Sequence, residues 1–519
     1  MQAPQPSISG TRDYAGEDAI ALQTARDAIE ATLRCYAYAA IDPPILESSS
    51  PFLNRSGEDI RRQMYIFPDP GGREVCLRPE LTIPVCRAYL RQLQSAADAK
   101  EKSPQREARL SYFGPAFTYE STSDGRYRQF YQAGAEFIGA QSRESADAEI
   151  LAAALDALQA TGLEKVQVQI GDVEIRNAFI DQLPISERSK TRIRRITLRS
   201  QNDTRVGPAV SASEAAADAP SNEFGELASL LASVEPGKAE LLIAEVFALA
   251  DVRHVGGRTP EEIVERLIGR TAQQAEPISA ELVQGVSSLL NIRAAPEAAF
   301  KAIREHFRQF RIASIGPVLE RCEQRLRYLS AYRPNRATLH FNVGLRRGLE
   351  YYTGFLFEIY AENLKQIGHV CGGGRYDNLL EGLGASGSIP AVGFGIGLDR
   401  LLAALQKARG PVAGTKRAPQ ALVVAAKANG EQDCIRVSVV LRDAGWRVEL
   451  DTADRDEKSA LGYAAERGIP YVVFAGDKSL KGQVRIRRLA DRADQLIALT
   501  SLASYANGEN AGGTPGKKP

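Results

Sequence analysis

The residues of this chain best suited to chemistry fall in a few short groups. Arg126-Tyr127-Arg128-Gln129 follows the polar turn Ser121-Thr122-Ser123-Asp124-Gly125 and enters a run of aromatic and β-branched residues. Two forked guanidiniums near one loop tip have the geometry that grips phosphate or carboxylate, although a surface arginine pair is also the ordinary covering of a strand edge. Gln132 and Glu136 follow at an even spacing, so on a strand they share one face, where a polar acceptor pair suits an ammonium or an imidazole. Arg347-Gly348-Leu349-Glu350-Tyr351-Tyr352-Thr353-Gly354 sets a guanidinium and two phenols at a strand entrance, or else forms a tyrosine-rich packed hairpin. Cys371-Gly372-Gly373-Gly374-Arg375-Tyr376-Asp377 joins a glycine turn, flat enough to lie against a planar ligand, to an arginine. Gly393-Phe394-Gly395-Ile396-Gly397-Leu398-Asp399-Arg400-Leu401 can deliver Arg400 from a helix start onto a sheet; its glycine spacing is not that of a dinucleotide fingerprint.

The elements that must carry these groups are legible from periodicity. Ile20, Leu22, Ala25, Ile29, Leu33 and Tyr36 predict an amphipathic helix from Asp18 to about Ala40. Met64 to Phe67 and Glu74 to Leu77 bracket the turn Asp69-Pro70-Gly71-Gly72 and predict a hairpin. Between Leu110 and Gly139 the pattern is two long antiparallel strands, then a helix from Ser145 to about Thr161 and a strand Val166 to Ile170. Residues 173–335 read as a helical insertion, within which Asn202 to Asn222 has the composition of an unstructured segment. Strand signals return at Thr338 to Val343, Gly354 to Tyr360 and Ile367 to Cys371, followed by a glycine-rich turn and a helix from near Gly397. After a Gly/Pro/basic linker over 409–419, alternating β and α patterns over 420–503 predict a separate small α/β domain, and 504–519 reads as a disordered tail. The expected core therefore comes in two parts, 1–172 and 336–408, joined in one antiparallel sheet.

Composition limits the function. The chain has 519 residues, 44% hydrophobic and 25% charged, with 65 Lys+Arg against 64 Asp+Glu, so it holds several cores and lacks the bulk basicity of a nucleic-acid coat. No run reaches the ~18 apolar residues of a membrane span, and the first ten residues lack the pattern of a signal peptide; a cytoplasmic protein with no membrane partner is expected. The six cysteines and four histidines are scattered without ligand spacing, so no metal site is expected and buried free thiols are the simpler reading.

Taken together, the order and spacing of the groups resemble the histidyl-tRNA synthetase family of class II aminoacyl-tRNA synthetase folds, from Gly10-Thr11-Arg12-Asp13 through Leu77-Arg78-Pro79-Glu80-Leu81-Thr82 to Leu401 and beyond. The resemblance implies an α+β fold: a class II synthetase-like antiparallel sheet flanked by helices, a helical insertion, and a C-terminal α/β anticodon-binding-like domain. It also implies a homodimeric core. By position, the family's histidine pocket maps to Glu80, Thr82, Gln132, Glu136, Tyr351 and Tyr352, with Arg347 acting at the reacting carboxylate and Glu120, Arg126 and Arg400 contacting ATP. One departure bears on mechanism. The motif that normally reads Phe-Arg-x-Glu is here Phe117-Thr118-Tyr119-Glu120, and Thr118 can neither reach nor charge-pair an α-phosphate. One such group commonly accounts for ~10²–10³ in rate.

That departure, with stretches such as Ser56-Gly57-Glu58-Asp59-Ile60-Arg61 and Gly256-Gly257-Arg258-Thr259-Pro260-Glu261-Glu262-Ile263, also resembles the regulatory subunits of short-form ATP phosphoribosyltransferase. The primary expectation is therefore such a subunit of the first enzyme of histidine biosynthesis. It would sense histidine in the pocket, assemble with a catalytic phosphoribosyltransferase chain, and have neither a catalytic residue nor a cofactor. The alternative is a histidine–tRNA ligase using ATP and Mg²⁺, with Arg347 catalytic and tRNA(His) as partner. For it speak the retained C-terminal domain and the basic run Lys478, Lys481, Arg485, Arg487 and Arg488, which is equally a solvated strand edge.

Overall fold

The computed structural model describes residues 8–53, 63–98, 107–119, 125–199, 279–312, 315–332, 337–347, 351–362, 368–409, 419–426, 430–477 and 482–511. They form two compact units, Met1–Val412 and Ala413–Pro519.

The strands of the first unit are β1 (Ala39–Ala40), β2 (Leu46–Ser48), β3 (Ile66–Pro68), β4 (Glu74–Leu77), β5 (Ala108–Phe117), β6 (Gln129–Ile138), β7 (Val166–Asp172), β8 (Arg293–Ala294), β9 (Ala337–Asn342), β10 (Phe355–Ala361), β11 (Cys371–Arg375) and β12 (Ala391–Gly397). Nine of them make one sheet in the order β1-β5-β6-β12-β11-β10-β7-β9-β8, and β2-β4-β3 make a small second sheet. Only the β1–β5 and β7–β9 pairs of the large sheet are parallel. One face of this sheet packs on helices. The helix Arg143–Ala160 is buried nearly all round because its alanines let neighbours approach closely. The helix Gly16–Cys35 covers it with Ala21, Ala25, Ile29 and Leu33, a single stripe at four-residue spacing. Helices Val173–Asp181, Ala280–Leu290, Pro296–Gln309 and Gly316–Ala331 feed the same core through Phe179, Leu289, Phe307 and Leu319, and β8 extends the sheet edge. The middle of the interval read as an insertion, with Asn202–Asn222 and Gly256–Ile263, lies outside the described residues, as does Ser56–Arg61.

Several local expectations change. The first helix stops at Cys35, because Ala37 adopts a left-handed conformation (φ 62°) that turns the chain into β1. The glycines of Cys371–Arg375 are not a turn but the centre of a fully buried strand. Its side-chain volume is occupied by other residues: a Cβ on Gly372 would fall 1.2 Å from Arg347 Nη1.

In the second unit β13 (Ala421–Ala425), β14 (Val448–Leu450), β15 (Tyr471–Ala475), β16 (Gln483–Arg488) and β17 (Ala493–Ala498) form a sheet in the order β14-β13-β15-β16-β17. Helices Glu431–Asp443 and Glu457–Arg467 alternate with its strands. The segment read as a tail instead contributes a helix, Leu502–Ala511. Leu502 and Ala506, one turn apart, are buried in this unit's core, and the Trp446 indole donates to the Ala506 carbonyl at 2.9 Å. Residues 512–519 lie outside the described residues.

Candidate functional site

On the face of the large sheet away from its helical core lies a cavity of about 310 Å³. Its floor is made of glycines on adjacent strands, and each missing side chain leaves room for a functional one. A Cβ on Gly393 would fall 1.5 Å from Glu136 Oε2, and one on Gly395 would fall 2.1 Å from Gln132 Nε2. The ladder explains the fit, since Glu136 pairs with Gly393 and Gln132 with Gly397 across β6 and β12.

At one end the cavity is acidic and phenolic. Glu136 is wholly buried; the Tyr376 hydroxyl donates to its Oε2, while its Oε1 has no hydrogen-bond partner. Burial pushes the Glu136 carboxyl up to about 8, against the opposing pull of the nearby Tyr376, Thr82 and Tyr112 hydroxyls. Glu80 stands at the start of the helix Thr82–Asp98, accepting from the backbone N–H groups of Thr82 at 2.6 Å and Ile83 at 2.8 Å. Burial raises its carboxyl too, opposed by those bonds. Tyr351 and Tyr352 pack at 4.8 Å between ring centroids, and Tyr351 meets Tyr376 edge-on. Gln132 Nε2 donates to the Tyr112 hydroxyl at 3.3 Å.

At the other end the cavity is cationic. Arg126, Arg347 and Arg400 all line it, with Thr118 and His369. Burial opposes the charge of Arg347, yet Tyr352 and Glu358 together hold its guanidinium above the ordinary arginine value. Arg347 Nε has no hydrogen-bond partner, and Nη1 reaches the Phe357 carbonyl only at 3.4 Å. His369 is held neutral, well below the usual imidazole range, by burial and by Arg347, Arg400 and Arg126. Such a chamber suits a small zwitterion carrying a hydrogen-bonding side chain at one end and a polyanion at the other.

The structure thus brings Glu80, Thr82, Gln132, Arg347, Tyr351, Tyr352, Arg126 and Arg400 to one cavity, with the Glu136 carboxylate in the space left by the missing side chain of Gly393 and hydrogen-bonded to Tyr376. Glu120 lies outside the described residues. The two arginines of the loop part company: Arg128 leaves the cavity to lie over the Tyr119 ring at 4.1 Å and to donate to the Ser9 carbonyl at 3.2 Å. Sequence reasoning passed over Tyr376, His369 and Glu358. Tyr376 lies within the Cys371–Asp377 motif, and the alternation of β10 is the signal for Glu358; His369 has none. The basic run of the second unit is internally paired at Arg485 with Glu457, Arg487 with Asp494 and Arg488 with Asp491, while Lys478 and Lys481 lie outside the described residues. Among the described residues no cluster of three or more His, Cys, Asp or Glu could hold a metal ion, and no helix is long and apolar enough to cross a membrane.

Comparison with known proteins agrees with this arrangement. The family described as histidyl-tRNA synthetase matches residues 10–253 and 263–401, and the anticodon binding domain family matches 420–508. The histidine–tRNA ligase of Methanocaldococcus jannaschii is 29% identical over 501 residues, covering 96% of this chain and 98% of that protein. That of Pyrococcus furiosus is 28% identical over 96% of this chain and 98% of its own length. In fold, the apo histidyl-tRNA synthetase of S. aureus superposes with a TM-score of 0.59 at 22% identity, covering 97% of this chain and 100% of that one. A Bacillus halodurans structure titled as an ATP phosphoribosyltransferase regulatory subunit/histidyl-tRNA synthetase gives 0.62 at 20% identity, covering 91% and 99%; at that identity it bears on the fold alone. The expectation of a phosphoribosyltransferase regulatory subunit is corrected by these relatives. Those at 28–29% identity are ligases, and they match along nearly their whole length. The threonine at position 118 does not leave the cavity without cationic groups, because the cavity that Thr118 lines is also lined by Arg126, Arg347 and Arg400.

Proposed function

The chain belongs to the histidyl-tRNA synthetase family, and from that premise we propose that it is a histidine–tRNA ligase: it forms histidyl-adenylate from ATP and histidine, then transfers the histidyl group to tRNA(His). The observation that carries this reading is the polarity of one cavity, lined by Glu80 and by Tyr376, whose hydroxyl donates to the buried Glu136, at one end and by Arg126, Arg347 and Arg400 at the other.

In this reading the histidine imidazole meets Glu136 through its vacant Oε1, and Glu80, Thr82 and Gln132 take the α-ammonium. Arg347, with an unpaired Nε, receives the carboxylate as it attacks the α-phosphate, and pyrophosphate leaves. Arg126 is the arginine positioned to serve where Thr118 does not, since Arg128 is committed elsewhere. In this reading Mg²⁺ enters with the nucleotide substrate as its counterion. The second unit is the natural holder of the tRNA anticodon, and the small sheet supports a homodimeric core. Leu46, Val75, Leu77 and Phe67 share one of its faces, with Leu46 48% and Phe67 41% exposed.

Histidine-dependent ATP–pyrophosphate exchange by the purified chain tests the reading, followed by charging of tRNA(His). Exchange that requires histidine is expected, and Thr118→Arg should raise its rate by about tenfold or more by restoring a phosphate clamp. Histidine and ATP binding with no exchange in either protein would overturn the ligase reading.

A further inference from the structure

His369 has no place in the reading above, yet it sits in the cavity wall among all three arginines. Two contacts define it. Arg400 Nη1 lies 3.4 Å from His369 Nε2 and also donates to the His369 carbonyl at 3.0 Å. On the other side of the ring, Nδ1 is 3.4 Å from Glu358 Oε1, and the second oxygen of Glu358 accepts from the Tyr360 hydroxyl at 2.5 Å. A guanidinium has donors only, so Nε2 beside Arg400 carries a lone pair; a carboxylate has acceptors only, so Nδ1 beside Glu358 carries the proton. The partners on both sides select the same tautomer. Tyr360 adds an edge-on contact, 6.2 Å between ring centroids, that limits rotation of the imidazole.

We propose that His369 is the positioning residue for the nucleotide end of the cavity, its bare Nε2 holding the Arg400 guanidinium aimed at the phosphates of a nucleoside triphosphate. The inference rests on the ligase reading and deepens it. Its physical sense lies in the neutrality of the ring. Three guanidiniums in one cavity repel each other and have long, mobile stems, so an arginine needs an anchor to keep a single direction. A carboxylate in this place would anchor Arg400 but cancel the charge the phosphates need. A neutral imidazole accepts one hydrogen bond and leaves that charge whole. The carboxylate stands one step back, at Glu358, which is 7% exposed and pairs across the ladder with Gly372, the glycine whose vacant side lodges Arg347. Glu358 thus steadies the ring that orients Arg400 while facing Arg347.

The test is calorimetric titration of the full chain with ATP, and separately with histidine, for the wild type, His369→Ala, His369→Gln, Arg400→Ala and the double variant. His369→Ala should weaken ATP binding by about tenfold and leave histidine affinity unchanged. In the Arg400→Ala background the same substitution should have no further effect, because the histidine acts through the arginine. His369→Gln, which retains one acceptor and one donor, should recover most of the loss. If His369→Ala does not fold, His369→Met, similar in bulk but without a nitrogen acceptor, replaces it in the comparison with His369→Gln. Wild-type ATP affinity in the Ala or Met variant, an equal loss with and without Arg400, or a matching loss of histidine binding would each overturn the proposal. Exchange activity measured on the same samples separates the two claims. A wild type that binds ATP and histidine without exchange sinks the ligase reading while the titrations still judge His369; a wild type that does not bind ATP sinks both.

Discussion

Glu136 shows what a pocket asks of one residue. A carboxyl raised from 4.5 to about 8 binds a proton in the folded chain that the unfolded chain has already lost over that interval. The folded state then carries more protons than the unfolded one, so this group's contribution to stability is intact below pH 4.5 and declines as the pH rises to about 8. Glu136→Gln removes the titration. Its melting temperature should match the wild type near pH 4.5 and exceed it at pH 8, while histidine binding falls by at least tenfold. Scanning calorimetry at the two pH values checks the first point, and equal melting temperatures at pH 8 would show that the buried carboxyl carries no such penalty. Residue types and spacing set Gln132 and Glu136 on one face because strand alternation is a local rule, and it was the family resemblance that added Arg347. The same rule is silent on Arg128, whose departure to Tyr119 depends on which side of the chain the N-terminal segment passes.

At the scale of elements, two arrangements hold the site. The first is the glycine floor. Gly372→Ala would drive a methyl group into Arg347 Nη1, and because that atom ends a flexible side chain, the arginine rather than the strand must yield. The protein should fold with little loss of stability while the exchange rate falls by about 10²–10³; an unchanged rate would place Arg347 outside the chemistry. The second is the buried ion network behind the floor. Asp147, wholly buried on the helix Arg143–Ala160, accepts from Arg325 Nε at 2.8 Å and from Arg375 Nε at 2.9 Å, which ties the helix Gly316–Ala331 to β11. Asp147→Ala removes one of the two carboxylate partners of each buried guanidinium, and the first unit should lose about 3–5 kcal/mol in urea denaturation followed by circular dichroism. A loss below about 1 kcal/mol would mean that Asp172 and Asp377 alone satisfy both arginines. Neither arrangement is apparent from one dimension. Three consecutive glycines read as a turn because glycine weakens an isolated strand, and only a neighbour's side chain filling the vacancy reverses that judgement.

At the scale of the whole molecule, the two units have separate cores, one built on the nine-stranded sheet and the other on Val423, Leu441, Trp446 and Val473. A chain ending at Val412 should therefore keep histidine-dependent exchange within a few-fold of the full protein and lose tRNA charging. Retained charging would remove the second unit from the proposed function. Leu46→Asp with Phe67→Asp should turn a dimer into a monomer by sedimentation if their shared face is the interface. The sequence by itself determined the α+β class, most strand and helix positions, the family and many of the residues that line the cavity, because periodicity and motif spacing are properties of neighbours along the chain. Only the tertiary structure decided that glycine strands floor the cavity, that Leu502–Ala511 packs as a helix, and that Arg126 and Arg128 diverge. It alone placed His369 between Glu358 and Arg400, since the strand, the loop and the helix that carry these groups meet only when the sheet is assembled, and no local rule specifies which vacancy a distant side chain fills.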